Sequence, residues 1–277
     1  MLRSTLFILF QATSVTFWGV LVLITAPFFS VSKRYSFTML WPKMNIFVAK
    51  YLLGIKYEIE GYENLKNIQK KPAIVCSKHQ SAWETFFLAN GLKQHICFVF
   101  KQELLLIPFF GWGIKLLHMI HINRTAGKKS LDQIIQAAPK QFKLGRWIVF
   151  FPEGTRTLPG EKKQYKIGAA VLSKRLGVPI VPIAHNSGVY WKKNAWIKKP
   201  GVIKLRIGPL RTPDNKRYLT DLCFPQLGLY CEIDELQHSS EKHSITDAIR
   251  MRAIIDVSTF TEKRIKINDT DSKLLEL

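Results

Sequence analysis

A histidine and a glutamate five residues apart, His79 and Glu84, are the side chains in this sequence best suited to acid–base chemistry. His79 follows a short apolar run, residues 73–76, whose pattern predicts a buried strand, and Glu84 falls in the first turn of the predicted helix that follows. Neighbours on one helix face are three or four residues apart, so this pair can meet only if His79 folds back over the helix N-terminus. That geometry would place an imidazole beside a carboxylate at the carboxyl end of a strand, where α/β sheets usually bind ligands.

The same residues also have a purely structural interpretation. Ser81 and Glu84 have the spacing of a capping box, in which the serine and glutamate side chains accept backbone N–H groups at a helix N-terminus. His79 could then be an ordinary surface residue in a turn. The spacing alone leaves both interpretations open, because short motifs are weak indicators.

Further polar residues follow two other predicted buried strands. Gly154 comes shortly after the apolar run 147–151, and a glycine lets backbone N–H groups approach a ligand closely. Arg156 offers a planar set of donors suited to phosphate. Lys101 leaves the preceding apolar strand and would reach an anion at the same edge of the sheet, with Arg124 nearby in sequence. The alternative is an ordinary turn and solvated charges.

The composition indicates an anionic partner. The 277 residues include 41 lysines and arginines against 20 acidic residues, a formal net charge of +21. Nucleic acid, anionic lipid or an anionic substrate would each suit that surplus, and the 47% hydrophobic content favours a membrane surface. The four cysteines have no metal-binding spacing, so no metal is implied, and their pattern suits the reducing cytoplasm.

The N-terminal segment is predicted to be a membrane anchor. Residues 4–32 carry no charge and are long enough to cross a bilayer, so residues 1–32 either span the membrane or re-enter it, with a signal peptide as a third alternative. Basic residues without acids follow, which by the positive-inside rule keeps the rest of the chain cytoplasmic. Residues 33–70 are predicted to form interfacial amphipathic helices and a linker, although an ordinary core helix would suit part of this span equally well.

Residues 71–277 are predicted to form one α/β domain. Apolar strands alternate with helical stretches, which indicates a mostly parallel sheet flanked by helices. The run Val178–Ala184 is apolar but holds two prolines, so we expect a strand at the sheet edge or one entered through a bulge.

Taken together, these residues resemble the 1-acylglycerol-3-phosphate acyltransferase family of membrane-bound glycerolipid acyltransferases. The resemblance covers about residues 30 to 210 and depends on four motifs in the family's order. They are the histidine block His79–Glu84, the block from Lys101 through Pro108–Trp112 to Arg124, the block Phe151–Arg156, and the apolar block Val178–Ala184 with its key proline at Pro182.

The resemblance implies a site and a reaction. His79 would act as general base on the acceptor hydroxyl, Glu84 would orient the imidazole, and the hydroxyl would attack an acyl thioester. Backbone N–H groups near Gly154 could hold the oxyanion. The residues expected to bind the acceptor are Lys101, Arg124, Glu153, Gly154, Thr155, Arg156 and Pro182. The family's usual acid in the first block is aspartate, and a shift of the helix could absorb the extra methylene of Glu84.

The expected reaction moves an acyl group from acyl-CoA or acyl carrier protein to the 2-hydroxyl of 1-acylglycerol 3-phosphate and yields phosphatidic acid. The expected partners are that lysophospholipid, the acyl thioester, an anionic membrane surface and acyl carrier protein as one possible donor, with no bound cofactor and no nucleic acid. The expected location is the cytoplasmic face of the inner membrane. Two alternatives stay open: another lysolipid or glycolipid acceptor, and a basic membrane- or nucleic-acid-binding protein without catalysis.

Overall fold

The computed structural model describes residues 1–123, 128–161, 163, 165–166 and 168–212, and three short strands between residues 222 and 266. The chain divides into two compact units, Met1–Pro213 and Asp214–Leu277. The boundaries predicted at residues 32 and 70, and the single domain over 71–277, stay predictions. The helices of the first unit are α1 Leu2–Thr25, α2 Val31–Thr38, α3 Leu40–Leu52, α4 Trp83–Gly91, α5 Phe110–Leu116, α6 Lys128–Lys143, α7 Gly168–Leu176 and α8 Ser187–Tyr190.

The first unit is built on a seven-stranded sheet in the order β1-β7-β6-β2-β5-β3-β4. Every neighbouring pair is parallel except β6 and β7. The predicted α/β class with a mostly parallel sheet flanked by helices is therefore confirmed. The strands are β1 Ile55–Glu60, β2 Ile74–Ser77, β3 His95–Lys101, β4 Ile120–Ile122, β5 Arg146–Phe150, β6 Ile180–His185 and β7 Gly201–Ile207.

The central strands carry near-continuous apolar runs because helices cover both faces of a parallel sheet. Ile74 and Val75 of β2, Ile148 and Val149 of β5 and Val181 of β6 are fully buried. The strands β2, β5 and β3 are neighbours and run in the same direction, so their carboxyl ends lie at one edge of the sheet. The turns after these strands hold the residues with predicted chemistry.

Of the two alternatives predicted from the prolines of β6, the edge position is wrong, since β6 lies between β7 and β2, and the bulge is present. A bulge accommodates Pro182. Ile180 and Ile183 are three positions apart in the chain, whereas their partners Arg211 and Ile207 are four positions apart. Beside this irregularity the Pro182 carbonyl accepts the Gly208 N–H at 2.9 Å, and the missing proline N–H interrupts no regular ladder.

The N-terminal helix α1 lies along the first unit. With the short 3₁₀ turn after it, Leu2–Phe28, this helix is long and apolar enough to cross a membrane by length and composition. Near its start, Ser4 Oγ accepts the Lys198 backbone N–H at 3.0 Å. Near its end, Gly19 lies so close to Phe109 that a Cβ at position 19 would be 2.7 Å from the Phe109 Cβ. Both halves of α1 therefore contact other elements of the unit Met1–Pro213.

The unit Asp214–Leu277 contains a three-stranded sheet in the order β10-β9-β8. In it β8 and β9 are antiparallel, and β9 and β10 are parallel. These strands are β8 Leu222–Phe224, β9 Leu229–Asp234 and β10 Thr261–Lys266.

Candidate active site

The turn between β2 and α4 brings the predicted acid–base pair together. His79 lies outside the helix, and its Nδ1 is 2.9 Å from Glu84 Oε1. Half of the predicted capping box is present, because Glu84 accepts the Ser81 N–H at 2.8 Å; the Ser81 hydroxyl accepts the Trp83 N–H at 2.9 Å, and the N-cap residue of α4 is Ala82. The two interpretations of this spacing are therefore compatible, since one carboxylate both caps the helix and contacts the imidazole.

The Glu84 carboxylate is fully buried and surrounded by donors. Its Oε1 accepts the backbone N–H groups of Gln80 and Ser81, each at 2.8 Å. Its Oε2 accepts the hydroxyl groups of Ser81 at 2.8 Å and Ser187 at 2.9 Å. Such an arrangement stabilises the ionised form and fixes the orientation of the group.

The electrostatics favour a charged Glu84. Burial alone would raise the pKa of this carboxyl group, but the hydrogen bond from His79, the nearby imidazoles of His185 and His79 and the Ser81 N–H together lower its pKa to about 2. An ionised Glu84 can only accept, so the neutral His79 ring carries its proton on Nδ1. The lone pair of His79 is then on Nε2, which has no hydrogen-bond partner among the described residues.

The loop after β5 surrounds His79 from the other side. The Phe151 ring stacks on the imidazole with a centroid distance of 3.9 Å, and Phe98 of β3 stacks on Phe151 in turn at 6.2 Å. Thr157 donates its backbone N–H to the His79 carbonyl at 2.8 Å. Motifs that are some 70 residues apart in sequence thus meet at the carboxyl ends of three neighbouring strands.

Glu153 lies beneath His79 and not at the surface of the loop. Its side chain is fully buried, and its Oε1 accepts the His79 backbone N–H at 3.3 Å and pairs with Lys78 Nζ at 3.0 Å. These contacts support the His79 turn. The predicted contact of Glu153 with the acceptor stays a prediction, and any such contact would have to reach a carboxylate that is covered in this structure.

Gly154 has a backbone conformation that favours glycine. Its φ is +68°, which side chains with a Cβ rarely adopt. Its backbone N–H donates to the Phe151 carbonyl at 2.9 Å, so this N–H closes the turn. An oxyanion contact from this turn would have to come from another group.

The remaining predicted binding residues make no hydrogen bond to Glu84 among the described residues. Thr155 and Arg156 are half-buried, and Lys193 Nζ donates to the Arg156 carbonyl at 2.8 Å. Lys101 is exposed at the end of β3, where its Nζ is 3.3 Å from Glu103. Pro182 lies in β6 opposite Cys76 of β2, close to the strand end that leads to His79. Arg124 lies outside the described residues.

Sequence reasoning missed the residues that support the pair from outside the motifs. Ser187 contacts Glu84 from the turn after β6, 103 residues further along the chain, and no local pattern signals it. His185 is buried beside it, and its Nε2 donates to the Lys78 carbonyl at 2.8 Å. Lys78 was visible as the neighbour of His79, but only the fold reveals its buried partner Glu153.

Comparison with known proteins gives one consistent family. Residues 56–186 match a family model described as Acyltransferase. A 1-acyl-sn-glycerol-3-phosphate acyltransferase from Pseudomonas aeruginosa is 41% identical over 209 residues, which are 75% of this chain and 80% of that protein. The chloroplastic enzyme of the same name from Arabidopsis thaliana is 31% identical over 66% of this chain and 51% of its own length.

The fold has a counterpart among solved structures. The crystal structure of the 1-acyl-sn-glycerophosphate (LPA) acyltransferase PlsC from Thermotoga maritima matches 92% of this chain and 95% of that chain, with a TM-score of 0.62. The two sequences are 20% identical, so this match establishes the fold.

Proposed function

The chain belongs to the 1-acyl-sn-glycerol-3-phosphate acyltransferase family, and we propose that it acylates the 2-hydroxyl of 1-acylglycerol 3-phosphate to give phosphatidic acid. The observation that carries the proposal is the contact between His79 Nδ1 and Glu84 at the sheet edge. This pair leaves Nε2 of a stacked and fixed imidazole to meet an alcohol. An acyl donor and a lysophospholipid are the substrates that the family implies.

The proposed chemistry begins with proton transfer to His79. Nε2 removes the proton of the acceptor hydroxyl as its oxygen attacks the thioester carbonyl carbon. The resulting imidazolium is stabilised by Glu84, whose low pKa keeps it charged. As the tetrahedral intermediate collapses, the C–S bond breaks and the leaving thiolate takes the proton back from His79. The products are the ester and the free thiol, and the histidine returns to its neutral form.

The acceptor phosphate is proposed to bind at the solvent-accessible side of the site, formed by Lys101 and residues 154–156, which we call the open side. Arg156 and Lys101 supply positive charge there, and Thr155 and Gly154 form the adjoining loop. Arg124 and Pro182 keep their predicted places in this set. Glu153 contributes mainly by supporting the His79 turn, since its carboxylate accepts the His79 N–H and pairs with Lys78.

We place the protein on one membrane face, with α1 in the plane of the interface and not across the bilayer. A helix of 24 residues would carry its start about 36 Å from its end. Yet Ser4 near its start contacts Lys198, and Gly19 near its end contacts Phe109, so both halves of the helix pack against other elements of the unit Met1–Pro213. The apolar side chains that α1 leaves exposed recur at helical spacing and would enter the lipid: Leu2, Leu6, Leu9, Phe17, Val20 and Ile24.

We propose the cytoplasmic face because the basic residues after α1, among them Lys33 and Lys43, would be attracted to the anionic lipids of that leaflet. Two tags, added one at a time and exposed to a protease in right-side-out and inverted vesicles, test both the cytoplasmic face and the position of α1 in the interface. A tag before Met1 and one after Leu277 should be cleaved from the same, cytoplasmic side. Cleavage of the two tags from opposite sides would show that α1 spans the membrane.

The activity is tested with purified protein in phospholipid vesicles. We expect phosphatidic acid from labelled 1-acylglycerol 3-phosphate with either acyl-CoA or acyl-acyl carrier protein, and the two rates measured in parallel identify the donor. A panel of acceptors, including lysophosphatidylcholine and a lysoglycolipid, identifies the acceptor. Faster acylation of an acceptor without a terminal phosphate monoester would contradict the proposed acceptor, while leaving acyl transfer itself intact.

A further inference from the structure

We propose that Ser187 is a positioning residue for acyl transfer: its hydroxyl holds the Glu84 carboxylate in the orientation that aims it at His79. The inference rests on the proposed function, because that function gives Glu84 its role. Ser187 belongs to none of the motifs recognised in the sequence. It begins α8, a single short turn directly after β6.

The two oxygens of Glu84 share the Ser81 backbone N–H but have different side-chain partners. Oε1 contacts His79 Nδ1 at 2.9 Å, whereas Oε2 receives the Ser187 hydroxyl at 2.9 Å and the Ser81 hydroxyl at 2.8 Å. Both Ser187 and Glu84 are fully buried, so water cannot replace a lost donor without entering the core. Together with the backbone N–H groups on Oε1, the hydroxyl pair therefore fixes the orientation in which the carboxylate faces the imidazole.

Ser187 is itself fixed in place by the end of β6. His185 Nδ1 accepts the Ser187 backbone N–H at 3.4 Å, while His185 Nε2 donates to the Lys78 carbonyl at 2.8 Å. Burial lowers the pKa of His185, and a neutral imidazole can donate at one nitrogen and accept at the other. Next to it, the Gly188 N–H donates to Gln80 Oε1 at 3.2 Å. The exit of β6 thus contacts the His79 turn at three points.

The length of Glu84 explains why such support is needed. Glutamate has one more rotatable bond than the aspartate of the family's usual first block, so its carboxylate can adopt more orientations. Only orientations that present an oxygen to Nδ1 keep the imidazole in the productive tautomer. The donors on Oε2 select those orientations before substrate binds, which is pre-organisation of the kind that raises kcat and leaves substrate binding unchanged.

The test compares Ser187→Ala and Ser187→Cys with Ser173→Ala as the matched control. Ser173 is a fully buried serine whose hydroxyl donates to the Val178 carbonyl at 2.6 Å, and among the described residues it has no hydrogen bond to the His79 turn. Both Ser187 variants should lose about tenfold in kcat at unchanged KM for the acceptor, the loss expected for one hydrogen bond to a charged group. Ser173→Ala should keep the wild-type kcat. If Ser187→Ala does not fold, the nearly isosteric cysteine gives the answer.

A double-mutant cycle with Glu84→Ala separates positioning from a general structural role. If Ser187 acts through Glu84, then Ser187→Ala causes no further loss in the Glu84→Ala background. The same loss in both backgrounds, or a change in KM alone, would overturn the proposal. Normal activity of both Ser187 variants beside an inactive His79→Ala would also overturn it and leave the proposed function standing. A wild-type protein that transfers no acyl group to any acceptor would overturn the proposed function and this inference together.

Discussion

Two parts of the candidate site differ in burial and in how fully their polar groups are engaged. In the His79 turn the side chain of Glu84 is 0% exposed, and both of its oxygens accept hydrogen bonds. On the open side the side chain of Lys101 is 48% exposed and pairs only with its neighbour Glu103 among the described residues. Arg156 is half-buried and is held through its backbone carbonyl.

The difference corresponds to the roles that we propose for the two parts. Proton transfer requires donor and acceptor in a fixed geometry before the substrate arrives, and buried hydrogen bonds supply that geometry. A phosphate-binding group must instead stay available, because its favourable interaction is made with the ligand. Glu153 belongs by sequence to the open loop but by position to the buried turn. Burial, more than membership of a motif, therefore separates supporting residues from binding residues.

The largest expected effect is on the buried side. His79→Ala should lower kcat by about 10² to 10⁴-fold, the usual contribution of a general base. His118→Asn is the control: His118 is exposed before β4 and has a φ of 53°, which asparagine tolerates. Steady-state kinetics in vesicles measures both. An active His79→Ala protein would contradict the catalytic assignment.

Glu153→Gln tests the comparison between the buried turn and the open side most directly. The sequence assigned Glu153 to the acceptor-binding loop, whereas its side chain is fully buried beside the His79 turn. Removing the charge leaves the partly exposed Lys78 without its carboxylate, so unfolding should need up to about 3 kcal/mol less free energy, the low end of the range for a fully buried pair. We expect kcat to fall and KM for the acceptor to stay unchanged. The control Glu60→Gln breaks an exposed pair with Arg206, at 2.8 Å, and should cost less than about 1 kcal/mol. A rise in KM alone would instead make Glu153 a binding residue.

The pH dependence of stability tests the charge on Glu84. Its pKa is lowered from 4.5 to about 2 in the folded protein, so its contribution is present above pH 4.5 and is lost as the pH falls towards 2. This pKa shift corresponds to about 3 kcal/mol in the free energy of unfolding. Urea unfolding of wild type and Glu84→Gln should show a stability difference that narrows by this amount over that range. A constant difference would mean that Glu84 is not charged in the folded state.

The smallest effects are expected on the open side. Arg156→Ala should raise KM for 1-acylglycerol 3-phosphate by about tenfold to a hundredfold, the loss of charge-assisted hydrogen bonds to phosphate, at nearly constant kcat. Lys101→Ala should raise it by only about threefold, since a solvated ammonium gains little from a new partner. Arg175→Ala, which removes an exposed partner of Asp132, serves as the control. A fall in kcat as large as that of His79→Ala would remove the distinction between the two parts.

Local sequence was sufficient to predict a strand or the start of a helix wherever one residue pattern dominates the segment. The apolar runs predicted β2, β3 and β5, and the capping spacing at Ser81 predicted the start of α4. The edge position suggested for β6 was wrong, because a proline excludes a strand from the interior only where its missing N–H interrupts a ladder. At Pro182 the neighbouring segment bulges and no ladder bond is missing.

The sequence by itself determined the alternation of elements, the surplus of positive charge, and the identity of the residues at the strand ends, since each depends on side chains close together in the chain. Only the tertiary structure decided that Glu153 supports His79 from below, that Ser187 reaches Glu84 from 103 residues away, and that both halves of α1 contact one body. The physical reason is that burial and long-range hydrogen bonds depend on strand order. Strand order is set by the packing of the whole sheet, so no single segment of the sequence predicts it.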